Sequence, residues 1–188
     1  MRTYHNDPEL KATHVALSIL HAEGDRLRAG NYGDLTTGIG CSVGCHAMDY
    51  GLSPDDHAGL AERLGWPLWL VRLQDRLFKG LPPEDRGAWH MSLAASVPVG
   101  VDLGQAYHRV MSRLLREVSW PADRPDDPWG CAAAVRRVAE LHEQSKSAAR
   151  SAAKSAESAA WSAAKSAAYR AICGIVLEEL HNAETRHG

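Results

Sequence analysis

Between Gly30 and Gly51 the chain concentrates residues able to do chemistry: Cys41, Ser42, Cys45, His46 and Asp49, with Tyr32 and Tyr50, set among six glycines in 22 residues. Thiolates and neutral imidazoles are preferred ligands of zinc, and cysteines at i, i+4 share one face if 40–49 is helical. Cys41, Cys45 and His46 are therefore the candidate metal ligands, with zinc as the candidate cofactor. His57, His90 or Cys131 could complete a tetrahedral set. The spacing is wider than the usual two-residue zinc knuckle. In the competing reading, Gly40, Cys41, Gly44 and Cys45 form a small-residue packing face in a protein without a cofactor.

A second chemistry is open to the same residues. A cysteine near a helix start can have a depressed pKa, and with His46, His57 or His90 as base and Asp49 as orienter it would act as a nucleophile. The two options define one alternative, a small zinc- or cysteine-dependent enzyme centred on Gly38 to Tyr50, with no catalytic residue assigned. The glycines match no phosphate loop, because no Gly-Lys-Ser/Thr follows, and no dinucleotide fingerprint, because no strand precedes them. His14 and His21 lie on one face with Leu10 and Leu17, two turns and about 10 Å apart. That is too far to share a metal directly, so they are expected as hydrogen-bonded histidines at a helix contact, as are His108 and His142.

Helix punctuation supplies the elements that must position these groups. Asp7-Pro8-Glu9 opens a helix over 8–27, and Ser53-Pro54 opens a second that stops at Gly65. A third over 67–79 is apolar on most sides and is expected to be the most buried; a fourth covers 82–96. Residues 97–101 read as an extended connector. Asp102 opens a fifth helix through Leu103, Ala106, Tyr107, Val110, Met111, Leu114, Leu115 and Val118. After a proline- and aspartate-rich loop at 121–128, Asp127-Pro128 caps a sixth that reaches at least 143.

Of the 29 alanines, 11 fall in the 22 residues from Ser147 to Ala168, where serine recurs at steps of 4, 4, 3, 4 and 4. Alanine has the best helix propensity, so the repeat predicts a helix with a close-packing Ser/Ala face. Arg150, Lys154, Trp161, Lys165 and Tyr169 make a separate stripe of candidate partner-binding residues. A host protein complex is the first expected partner, nucleic acid along 146–170 the second, and another copy of the chain a third. The bland alternative is a solvated face that keeps an alanine helix soluble.

The pattern predicts an all-α fold, a multi-helix bundle with a long Ala/Ser-rich C-terminal helix. Its expected organisation is a helical core at 1–120, a connector at 121–128 and a C-terminal helical region at 129–188. With net charge −2 over 188 residues, whole-protein attraction to nucleic acid or membrane is not expected. Four cysteines are too few for a disulfide scaffold, and no apolar run approaches the roughly 20 residues of a membrane span. A soluble, cytoplasmic protein is expected.

The block Gly65-Trp-Pro-Leu-Trp-Leu-Val-Arg-Leu-Gln-Asp-Arg-Leu-Phe-Lys-Gly-Leu-Pro, the segment Val97-Pro-Val-Gly-Val-Asp-Leu and the Ser-Ala-Ala-x tail together resemble uncharacterised proteins carried by phages and prophages, over about residues 40 to 170. The resemblance implies a mobile-element accessory protein acting in a bacterial host cell. Small proteins of that kind commonly block host machinery, including CRISPR effectors. By that analogy the expected function is non-enzymatic: binding that inhibits or remodels a host protein assembly.

Overall fold

The computed structural model describes residues 1–119, 131–144 and 166–185. Among these the fold is all-α, with eight α-helices and one two-stranded hairpin. No described helix is long and apolar enough to cross a membrane. The described residues group into two compact units. The first takes the chain up to Gly104 together with the end of the last helix from Leu180; the second lies between Gln105 and Glu179. The expected connector at 121–128 and most of the Ser/Ala repeat lie outside the described residues.

The first unit begins with a 3-10 turn, Thr3–Asn6, held against 98–101: Thr3 N donates to the Val101 carbonyl (3.1 Å) and Val101 N to Thr3 Oγ1 (3.0 Å). The extended connector read from the sequence is thus tied to the start of the chain. Helix α1 (Pro8–Glu23) starts as its punctuation requires, with the Asp7 carboxylate accepting from Glu9 N and Leu10 N and proline in the first turn. It ends at Gly24, shorter than the expected 8–27.

The glycine-rich segment folds into a hairpin, β1 (Gly33–Asp34) and β2 (Ile39–Gly40), paired antiparallel with Gly33 opposite Gly40. It then enters α2 (Ser42–Asp49), capped by Cys41 Sγ, which accepts from Gly44 N at 3.4 Å. A side chain on Gly44 would fall on the Tyr32 carbonyl oxygen. That close approach explains the glycine.

Helices α3 (His57–Leu64), α4 (Leu68–Gly80) and α5 (Pro83–Ser96) complete this unit. The first starts at the Asp56 cap rather than at Ser53, and ends at Gly65, whose φ of 63° is the left-handed cap that glycine favours. α1 packs along α5, and α2 lies against α1, α3 and α4. The most enclosed helix is therefore α2, with Ser42 to Ala47 all buried, and not α4, which keeps Arg72, Arg76 and Lys79 exposed. Small side chains let α2 be surrounded; long basic ones keep one face of α4 in water.

In the second unit, α6 (Ala106–Arg113) continues into a π-helical turn, Leu114–Ser119, and packs on α7 (Cys131–Glu143). Asp102 does not cap a helix; its carboxylate takes Gly104 N, and α6 starts at Ala106. Arg109 and Arg113 meet Glu179 and Glu178 of α8 (Ser166–Thr185) at 3.0 and 2.7 Å.

Candidate metal centre

Two helices place polar residues in register at steps of four and three. On α1 these are His14, Ser18 and His21; on α2, Ser42, His46 and Asp49. Such residues share one helix face, and here both faces turn inward. His14, His21, His46 and His90, the last from α5, are all fully buried, and Gln74 of α4 is 1% exposed. Burying so many polar groups is costly unless each finds a partner, so their pairing defines what the cluster can do.

His21 Nδ1 lies 3.1 Å from His90 Nε2. On its far side, His21 Nε2 sits 2.7 Å from Asp49 Oδ2, with the ring N–H not well aligned on that oxygen. Arg26 approaches the same carboxylate at 3.9 Å. His90 Nδ1 is 2.7 Å from Ser42 Oγ, which accepts from Gln74 Nε2 at 2.6 Å. His46 Nε2 is 3.2 Å from Ser18 Oγ, whose hydroxyl donates to the His14 carbonyl at 2.8 Å. Because that hydroxyl proton is committed, His46 must donate from Nε2, which leaves Nδ1 as a bare acceptor.

The imidazoles of His21, His46 and His90 each offer one ring nitrogen within 4.8 Å of the other two. The His46 ring stacks on His90 with centroids 4.6 Å apart, and the His14 ring centroid lies 3.9 Å from that of His46. Among the described residues, His46 Nδ1 and His14 Nε2 are buried without a hydrogen-bond partner. A buried unpaired acceptor costs about 1–3 kcal/mol. Two nitrogens on one tetrahedral zinc, each about 2.0–2.1 Å from the metal, lie about 3.3 Å apart. The His21–His90 pair has that spacing already, and ligation by His46 requires its ring to turn out of the stack on His90.

Burial, with repulsion from His21, lowers the pKa of His14 to about 3. Burial first, then the neighbouring histidines, holds His46 and His90 well below the usual imidazole value. At neutral pH these three rings are neutral, the state in which imidazole binds metals.

His46, one of three ligands expected from the sequence, belongs to this cluster; Cys41 and Cys45 do not join it. Cys41 Sγ serves as the α2 cap, and the Cys45 thiol points to the Arg26 and Gly38 carbonyls at 3.7 and 3.9 Å. Burial raises the Cys41 pKa to about 12 against the opposing Gly44 N–H, and that of Cys45 to about 11 against Arg26. Both therefore stay protonated, which disfavours a thiolate nucleophile or ligand. His57, at the start of α3, pairs instead with Asp75 at 3.5 Å, and Asp49 serves His21 rather than a cysteine–histidine pair.

Besides His46, the sequence offers His90 as one of three residues able to complete a ligand set and Ser42 as one of the chemically able residues of 30–51; it gives no part in a site to His21, Ser18 or Gln74. Within α1, His14 and His21 share one face but lie too far apart to share a metal, whereas the partners of His21 come from α2 and α5. The repeated four-and-three spacing of polar residues on two short helices was the available signal. Of the partner-binding residues, Arg150, Lys154, Trp161 and Lys165 lie outside the described residues, and Tyr169 is half-buried in α8. His108 and His142 do meet as a hydrogen-bonded pair, Nδ1 to Nδ1 at 3.1 Å. No family model, curated protein or solved structure matches this chain.

Proposed function

We propose that this protein binds a divalent transition metal of the zinc class in its interior, with His21, His46 and His90 as ligands tying α1, α2 and α5 together. The observation that carries this reading is the division of labour within the rings. One nitrogen of each ring lies within 4.8 Å of the other two; His21 Nδ1 meets His90 Nε2, the opposite nitrogens of those two rings lie beside Asp49 and Ser42, and His46 Nε2 lies beside Ser18. Metal-bound histidines almost always have the second nitrogen held in this way. A set of imidazole nitrogens suits zinc, cobalt, nickel or copper and does not suit magnesium or calcium, which select oxygen.

The ligands are fully buried, which favours a metal that organises the helices over one that activates water for an incoming substrate. This reading moves the zinc of the alternative expectation from the cysteine pair to the histidines. The reading of an accessory protein that blocks a host assembly rests on the sequence resemblance alone.

The test is titration of metal-free protein with Co²⁺, whose visible absorption reports ligand number, followed by metal analysis after desalting. One equivalent bound by the parent, and lost in His46→Ala and His90→Ala variants that remain helical by circular dichroism, is the expected result. Failure of the folded parent to retain stoichiometric Co²⁺ or Zn²⁺ overturns the proposal.

A further inference from the structure

The three proposed ligands are not equally ready for a metal, and the difference lies in where their protons sit. His46 donates from Nε2 to Ser18, so its Nδ1 lone pair is free. The proton on His90 follows from the chain of donors behind it. Gln74 Nε2 donates to Ser42 Oγ at 2.6 Å. The Ser42 hydroxyl proton has one acceptor among the described residues, His90 Nδ1, 2.7 Å away, and donates there. The neutral His90 ring must therefore carry its proton on Nε2, aimed at His21 Nδ1 at 3.1 Å. His21 accepts there and presents Nε2–H towards Asp49. His21 Nδ1 and His46 Nδ1 thus hold lone pairs, and His90 holds a hydrogen at its contact with His21.

We infer that Ser42 and Gln74 form a tautomer switch on His90, so that the orientation of the Gln74 amide sets whether the site is closed by a shared proton or open to a metal. The inference rests on the metal-binding reading above. To ligate through Nε2, His90 must release that proton and take one up on Nδ1, remaining neutral with no net change in bound protons. Nδ1–H then donates to Ser42 Oγ, and the Ser42 hydroxyl turns to a new acceptor. Gln74 Oε1, buried without a partner among the described residues in the present orientation, is that acceptor once the amide rotates by half a turn. Gln74 thereby couples occupancy of the site to α4, which supplies no ligand. It is a positioning residue, acting on the metal only through Ser42 and His90.

The experiment has two arms. In ¹⁵N-labelled parent protein, long-range ¹H–¹⁵N correlations read the His90 tautomer directly: Nε2–H without metal and Nδ1–H after one equivalent of Zn²⁺ is the expected pair. In the second arm, Co²⁺ affinity is compared for Gln74→Glu, which can accept from Ser42 but as a carboxylate cannot donate, and Gln74→Leu, which can do neither. Binding should tighten about tenfold in the first and weaken about tenfold in the second, within the range that second-layer partners of metal ligands command. A purely structural glutamine would not move the two in opposite directions. If the parent binds Co²⁺ but His90 already carries Nδ1–H without metal, or keeps Nε2–H with it, the switch is wrong and the metal site stands. If the parent takes up no metal, both fall. The tautomer arm needs no variant to fold, so it decides the matter alone if either substitution disrupts the core.

Discussion

His21 and His90 face each other nitrogen to nitrogen across 3.1 Å, although 69 residues separate them in the chain. At that spacing one proton can bridge the two rings, and with small adjustment one metal ion can take its place. Asp49 lies behind the first ring and Ser42 behind the second, so both are held in orientation whichever occupant is present.

Removing the charge behind His21 should weaken the site without removing a ligand. Asp49→Asn keeps the size of the side chain but loses the carboxylate beside His21 Nε2, and Co²⁺ affinity should fall about 10–100-fold. A competition titration against a chromogenic chelator measures it. An affinity equal to that of the parent would show that the carboxylate does not prepare His21 for metal.

The thiols should be dispensable for metal. A Cys41→Ala/Cys45→Ala protein is expected to bind one equivalent of Co²⁺, and the parent complex should lack the intense near-ultraviolet sulfur-to-metal band. Appearance of that band in the parent, or its loss together with the metal in the double variant, would return the cysteines to the ligand set.

Acid should destabilise the metal-free protein. His14, His46 and His90 are neutral when folded and hold pKa values below those of the unfolded chain. Stability from this source is fully present above the unfolded value of about 6.5. As pH drops below it, the unfolded chain takes up protons that the folded one refuses. Each histidine then costs about 1.4 kcal/mol per pH unit, and for His14 the loss continues down to about pH 3. Urea midpoints at pH 7.5, 6 and 5 in the presence of chelator should fall steeply; equal midpoints would mean that the rings take up protons within the fold.

Two glycines should respond oppositely to alanine. At Gly44 the added methyl falls on the Tyr32 carbonyl, a backbone atom that cannot move aside cheaply, and Gly44→Ala should cost at least about 2 kcal/mol. Gly174 lies inside α8, and no atom of the described residues comes within 4 Å of where a side chain would go. There Gly174→Ala should stabilise by about 0.5–1 kcal/mol through helix propensity. Thermal unfolding of the two variants beside the parent tests the pair.

Helix starts and stops were legible in the sequence because caps act within a few residues. Asp7 with Pro8 and the left-handed Gly65 function where their spacing indicated. Ser53-Pro54 misled by three residues, because Asp55 takes the Ser53 hydroxyl and Asp56 does the capping. Burial order was not legible: α4 carries the larger apolar residues, but α2, built of small ones, is enclosed by three neighbours. The hairpin over 33–40 is too short to show a strand period.

The candidate site divides in the same way. Sequence alone placed His46 in a chemically loaded segment and His14 and His21 on one face of a helix. It could not bring His21, His46 and His90 together, because a metal-ligand set requires nitrogens within a few ångströms, and α1, α2 and α5 reach that spacing only by packing. Nor could it show that the thiols point away, since side-chain direction on α2 depends on which neighbours cover each face. Local hydrogen bonding determined the elements from the sequence; long-range packing of buried surface decided which polar residues meet and where their protons lie.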